Sequence, residues 1–205
     1  MLLTEKQTDA MAELINIGFA RTAASLSDLS HQRVLLDAPM VTVTAIEQLP
    51  EAVGAFIQDE VATVHQIFSG PVAGDALLIL NYEGAVMLTD LLCAQQSSSR
   101  RLDESSREAL TEIGNILLNA CLGMFGNMLQ VHVSFSMPRL HLENLDSLLQ
   151  SITIGSEELR YALVASTAFH LRESAVSGFL VIVLGVSSLD RLVRAIELWE
   201  ESQRG

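Results

Sequence analysis

Cations are scarce in this chain: 12 Lys and Arg stand against 25 Asp and Glu, a formal net charge of −13. Nucleic acid and anionic membrane carry the same sign and are therefore disfavoured as partners, whereas a protein with a basic rim would be attracted. Only two cysteines occur, Cys93 and Cys121, each inside an apolar stretch of helical pattern. They read as reduced core thiols, not as a disulfide or a metal pair. No apolar run reaches the roughly 18 residues needed to span a bilayer. The longest candidate, 175–186, is short and rich in β-branched residues, so it reads as a buried strand. Glu5 and Lys6 interrupt the N-terminus and no apolar signal region follows, so a cytoplasmic location is expected by default. There is no GxxxxGK[ST] and no GxGxxG after a strand, so nucleotide binding has no support. The five histidines, His31, His65, His132, His141 and His170, show no metal-ligand spacing; at most His132 and His141 approach one another across a turn.

What the chain does have is apolar bulk: 49% of residues are hydrophobic and the mean hydropathy is +0.35. Two hundred and five residues of this kind can build one domain with a sizeable core, or two small ones.

The stretch 4–39 organises the rest. Thr4 and Gln7 have capping-box spacing, so a helix is expected from Glu5 to about Leu29. Asp9, Glu13 and Asn16 fall within about 60° of one another on it. Ala10, Leu14, Ile17 and Ala24 form an adjoining apolar stripe expected to face the core. Gly18 leaves bare backbone beside Asn16, which suits close approach of another surface or tight packing on a neighbouring helix.

Strands are expected at 40–45, 62–68 and 74–80, the last two as a hairpin about Ser69-Gly70-Pro71, and a short helix at 82–94. Leu49-Pro50-Glu51 reads as a break. Residues 95–102, beginning QQSSSRR, read as a linker. The pattern then returns. Asp103 is a candidate cap for a helix over 104–129; 131–136 alternates as a strand, and 145–151 has one or two helical turns. Residues 161–171 and 175–184 form a second hairpin bending at Arg172-Glu173-Ser174. Ser187 or Ser188 is the expected cap of a last helix running to about Glu200, with Trp199 packed on its end. Helix, strand, hairpin, helix therefore occurs twice, over about 4–94 and 103–202. The expected fold is a single mixed α/β (α+β) domain with internal duplication: a pseudo-twofold antiparallel sheet packed with long helices lying side by side.

Glu112, Asn115 and Pro138 each lie 99 residues after Glu13, Asn16 and Pro39. One Glu-x-x-Asn on a solvated helix is common and carries little. Duplication preserves core positions for packing, but it does not by itself explain why these polar residues coincide while most of the surface has diverged. An acid and an amide three apart hold no nucleophile. They can position: Asn can hold a water at a chosen angle, and Glu can anchor a lysine of another molecule. That suits phosphoryl transfer, which rests on alignment and charge neutralisation. Asn119 and Asn127 are further amides on the second helix, read as solvent-facing or capping, and Met124, Phe125 and Met128 as core.

Here the chain resembles the CheC, CheX and FliY phosphatases of bacterial chemotaxis, and two-site CheC above all. Their signature is Asp or Ser, three residues, Glu, two residues, Asn, twenty-two residues, Pro. Asp9-x3-Glu13-x2-Asn16-x22-Pro39 fits it throughout; the second copy keeps Glu112, Asn115 and Pro138 but has Glu108 in the first place. The resemblance covers nearly the whole chain and implies a phosphatase for the phospho-aspartate of a CheY-like response regulator. By it, Asn16 and Asn115 orient the attacking water, and Glu13 and Glu112 pair with the regulator's lysine. Asp9 and Glu108 lie at the rims, and Gly18 and Phe19 lie at the partner surface. No metal belongs to the chain; Mg²⁺ is expected in the regulator. CheC proteins can also bind the deamidase CheD, for which no residue here is diagnostic. The chain departs from the family at Gly18-Phe19-Ala20-Arg21, where small residues are usual, and at Glu108, which shares capping-box spacing with Ser105. These departures motivate the alternative of a non-catalytic adaptor that binds a regulator or another signalling protein.

Overall fold

The computed structural model describes residues 3–54, 60–92, 101–153, 160–171 and 174–204. Helix α1 (Glu5–Ser30) begins at the expected place: the Thr4 hydroxyl accepts from the Gln7 N–H, and the Gln7 side chain accepts in return from the Thr4 N–H at 2.8 Å. Strands β1 (Val34–Leu36) and β2 (Met40–Ala45) follow. A single 3-10 turn (Ile46–Gln48) leads into α2 (Leu49–Gly54). The strand has ended by Leu49-Pro50-Glu51, as expected of that break, and these residues open α2: Pro50 lies in its first turn, where a missing N–H costs nothing. Next come the hairpin β3 (Glu60–Ser69) and β4 (Gly74–Asn81) and helix α3 (Tyr82–Leu92).

Helix α4 (Glu104–Leu129) is capped by Asp103, whose carboxylate accepts from the Ser106 N–H at 2.8 Å and is held below the usual carboxylate range by that bond. Strand β5 (Ser134–Phe135) is shorter than the expected 131–136, and β6 (Arg139–Asn144) stands where no strand was expected. Then follow α5 (Leu145–Thr153), the hairpin β7 (Arg160–Leu171) and β8 (Ser174–Gly185), and α6 (Val186–Arg204). Ser187 and Ser188 lie inside α6, not at its cap; the Ser188 hydroxyl accepts from the Ala73 N–H. Most of the expected linker, together with Cys93 and residues 172–173 of the second bend, lies outside the described residues.

The eight strands make one antiparallel sheet in the order β1-β7-β8-β4-β3-β5, with β2 also on β7 and β6 also on β3. Strands from residues 34–45 thus complete the later hairpin, and strands from 134–144 complete the earlier one. The centre is the pairing of β4 with β8. Alternation sends Ala62, Val64, Ala76, Leu78, Leu180 and Ile182 to one face, under α1, α3, α4 and α6. It sends Val61, Leu77, Ile79, Val181 and Val183 to the other, under α2 and α5 through Leu49, Val53, Leu145 and Leu148. Buried on both faces, β4 and β8 read as continuous apolar runs.

Helices α1 and α4 lie side by side as expected, but α1 is turned relative to the expected stripe. Its buried positions are Ala10, Met11, Leu14, Ile15, Gly18, Phe19, Thr22 and Leu26, while Ala24 is exposed and Ile17 half-buried. Thr22 can be buried because its hydroxyl donates to the Gly18 carbonyl at 2.9 Å. Helix α4 is long and apolar enough to cross a membrane, which no run of the sequence was expected to be. Its apolar side is spent in the core instead, through Leu110, Leu117, Leu118, Cys121, Leu122 and Phe125.

Candidate functional site

The core face of each long helix fixes what the opposite face presents. On α1, burial of Met11, Ile15 and Phe19 turns Asp9 and Glu13 fully outward and leaves Asn16 half-buried at the margin. On α4, burial of Leu110, Gly114 and Leu118 does the same for Glu108, Glu112 and Asn115. Each helix therefore carries an exposed carboxylate with an amide one turn further on, anchored at the edge of packed core. Glu108 does not cap α4, because Asp103 does. Its carboxylate is free to line the second site.

The two sites differ in their internal bonding. Asn115 Nδ2 donates to Glu112 Oε2 at 3.4 Å, and Asn119 Nδ2 donates to Asn115 Oδ1 at 2.7 Å. Asn119, expected to face solvent or cap, is instead half-buried and part of the second site. Its i, i+4 spacing from Asn115 is the signal that could have found it. The matching position on α1 is Ala20. Asn127 is exposed in the last turn, and its backbone carbonyl accepts from the Gln130 N–H.

Two residues expected at the partner surface are not there. Phe19 is 1% exposed and belongs to the main core. Gly18 is buried against α4: a Cβ on it would stand 2.8 Å from Met124 Cε and 3.0 Å from Cys121 Sγ. The bare backbone serves helix packing, the second of the two uses expected for it. Arg21 stays exposed. Pro39 and Pro138 occupy equivalent places, between β1 and β2 and between β5 and β6. Lacking an N–H, neither can donate to the sheet in the gap between one short strand and the next.

Cys121 is fully buried, and burial pushes its thiol up, which leaves it a packing residue. Among the described residues, no group of three or more His, Cys, Asp or Glu is arranged to hold a metal ion. His141 stands near His65, not His132, with ring centroids 6.0 Å apart. His65 Nε2 lies 3.0 Å from Asp75 Oδ1, beside a small cavity of about 150 Å³ under α5. An apolar groove of about 450 Å³ lies next to the second site, lined by Leu26, Leu29, Leu92, Ile113 and Ile116, with Glu112 at its edge.

No family model matches the chain. It is 26% identical over 142 residues to the flagellar motor switch phosphatase FliY of Bacillus subtilis, covering 68% of this chain and 36% of that one. It is 21% identical over 170 residues to the CheY-P phosphatase CheC of the same organism, covering 81% of each. The chain thus spans about a third of the FliY it matches and four fifths of CheC. Among solved structures, FliY of Thermotoga maritima superposes with a TM-score of 0.77 at 18% identity, over 96% of this chain and 98% of that one. FliM in the FliG–FliM complex of Helicobacter pylori superposes with a TM-score of 0.68 at 10% identity, over 94% and 100%. At these identities the structures speak for the fold alone. Sequence and fold together relate the chain to the CheC-like proteins.

Proposed function

We propose that this CheC-like chain accelerates hydrolysis of the phospho-aspartate of a CheY-like response regulator. The observation that carries the reading is the outward placement, on two packed helices, of a carboxylate and an amide at the same spacing. In this reading Glu13 or Glu112 takes the regulator's lysine in a charge-assisted hydrogen bond and so sets the helix against the acyl phosphate. Asn16 or Asn115 then accepts a hydrogen of the attacking water and fixes its line of approach. The water oxygen bonds to phosphorus and the phosphorus–oxygen bond to aspartate breaks. Carboxylate and inorganic phosphate leave, the water's proton passing to phosphate or solvent. Neither protein group changes charge, so the gain is in alignment, which is worth about 100-fold when lost. Mg²⁺ is assigned to the regulator. Asp9 and Glu108 are rim contacts. The deamidase CheD is a second candidate partner carried by the family resemblance alone, and the cytoplasm is the compartment both partners imply.

Phosphate release from a phosphorylated CheY-like regulator, with and without the protein, tests the reading. The double variant Asn16→Ala/Asn115→Ala should bind the regulator and return its dephosphorylation to the unassisted rate. Unchanged acceleration by that variant would remove the assigned roles. The adaptor alternative draws on the FliM fold, which is found in complex with FliG. Tight binding by the unaltered protein with no change in dephosphorylation rate would select it.

A further inference from the structure

Asn115 is one link in a hydrogen-bonded chain whose direction is set by chemistry. A carboxylate only accepts. Glu112 therefore takes the Nδ2 end of Asn115, which turns Asn115 Oδ1 toward Asn119, and only the Nδ2 end of Asn119 can meet it. Exchanging N and O on Asn119 would set two carbonyl oxygens 2.7 Å apart; exchanging both amides would aim Asn115 Oδ1 at the Glu112 carboxylate. The Asn119 Oδ1 left over is buried and has no partner. Asn119 therefore holds its orientation by what it donates. In the first site, Ala20 stands where Asn119 does and can donate nothing.

We infer that Asn119 is a positioning residue that fixes the Asn115 amide and makes the second site the preorganised one of the two. This rests on the phosphatase reading. The consequence arises when a lysine binds. The 3.4 Å bond from Asn115 to Glu112 is long, and an arriving ammonium competes for that carboxylate. The 2.7 Å bond from Asn119 is then what keeps Asn115 Oδ1 oriented, with its second lone pair left for water. At the first site the same event leaves Asn16 free to turn.

The test uses the full chain with one site disabled at a time. In an Asn16→Ala chain, where the second site acts alone, Asn119→Ala and the near-isosteric Asn119→Asp should each lower kcat by about tenfold with KM unchanged. Asp keeps the volume and removes the donor, so a role in packing alone would leave it active. In an Asn115→Ala chain the Asn119 changes should have no effect, and Ala20→Asn should raise kcat. The Asn115 side-chain amide resonances, assigned by their loss in Asn115→Ala, supply a readout without turnover: displaced from free-amide shifts and rigid by relaxation in the unaltered protein, at free-amide shifts and mobile in both Asn119 variants. Unchanged kcat in Asn16→Ala/Asn119→Asp, or Asn115 resonances indifferent to Asn119, would overturn the inference. Failure of both single-site chains to accelerate dephosphorylation would instead overturn the phosphatase reading, with the resonances still deciding whether Asn119 holds Asn115.

Discussion

Gly114 on α4 lies directly over Val64 on β3: a Cβ on that glycine would meet three carbons of the valine at 2.5 to 2.7 Å. The helix that carries the second site is thus set down on the sheet at van der Waals contact. Gly18 does the same between the two long helices, against Cys121 and Met124.

Gly114→Ala should destabilise the protein by about 2 kcal/mol even though alanine favours helix by about 1 kcal/mol, because Val64 is a branched, 1%-exposed core side chain with no free rotamer to retreat to. Gly18→Ala should cost less, since the nearest atom is the flexible end of Met124. Urea denaturation of both variants checks the order.

Phe19→Ala should cost about 3 to 5 kcal/mol in the same measurement, as expected for an aromatic ring removed from a packed interior. Arg21→Ala should fall within about 0.5 kcal/mol of the parent, because Arg21 is exposed. A surface role for Phe19 would reverse this order.

Glu13→Gln and Glu112→Gln, combined, keep the side-chain volume and remove the charge meant for a lysine. KM for the phosphorylated regulator should rise about tenfold, with kcat much less affected. Raising salt from about 0.1 to 1 M should weaken binding by the parent more than by the variant. Equal salt sensitivity would count against the pairing.

Burial favours the protonated form of the Cys121 thiol in the folded state, above its ordinary value of 9.0. The stabilisation is therefore complete below pH 9.0 and is lost as pH rises beyond it, because the unfolded chain releases the proton first. Stability of the parent should fall more steeply above that pH than stability of Cys121→Ala. In a Cys93→Ser background, the native protein should resist thiol reagents at neutral pH and react on unfolding.

Much of this architecture was legible where local chemistry is strong. Thr4 with Gln7, and Asp103, mark both long helices to the residue, because an N-cap is a local bond. The hairpins were legible from their apolar runs. The edges were less so: β6 does alternate, Arg139-Leu140-His141-Leu142-Glu143, but with only two apolar residues it is a short signal, and its partner β3 lies more than 70 residues earlier in the chain. The turn of α1 was missed because its buried face passes through Gly18 and Thr22, neither of which looks apolar in sequence. The same face carries Phe19 into the core, away from the partner surface where the family resemblance puts it. The outward placement of Glu13 and Glu112, with Asn16 and Asn115 one turn on, was legible by repetition; the contact of Asn119 with Asn115 was not, because nothing repeats it.

The crossed pairing of early and late strands bears on how the chain matures. Until residues beyond 92 have been made, a β3–β4 hairpin has no outer neighbours to pair with: Val61 awaits Glu143, and Ala76 awaits Ile182. Contacts so distant along the chain are slow to close, and open strand edges attract other chains in the meantime. Translation past β8 is the event that seals both edges, so an interrupted message should yield an aggregating fragment, not half of a working protein.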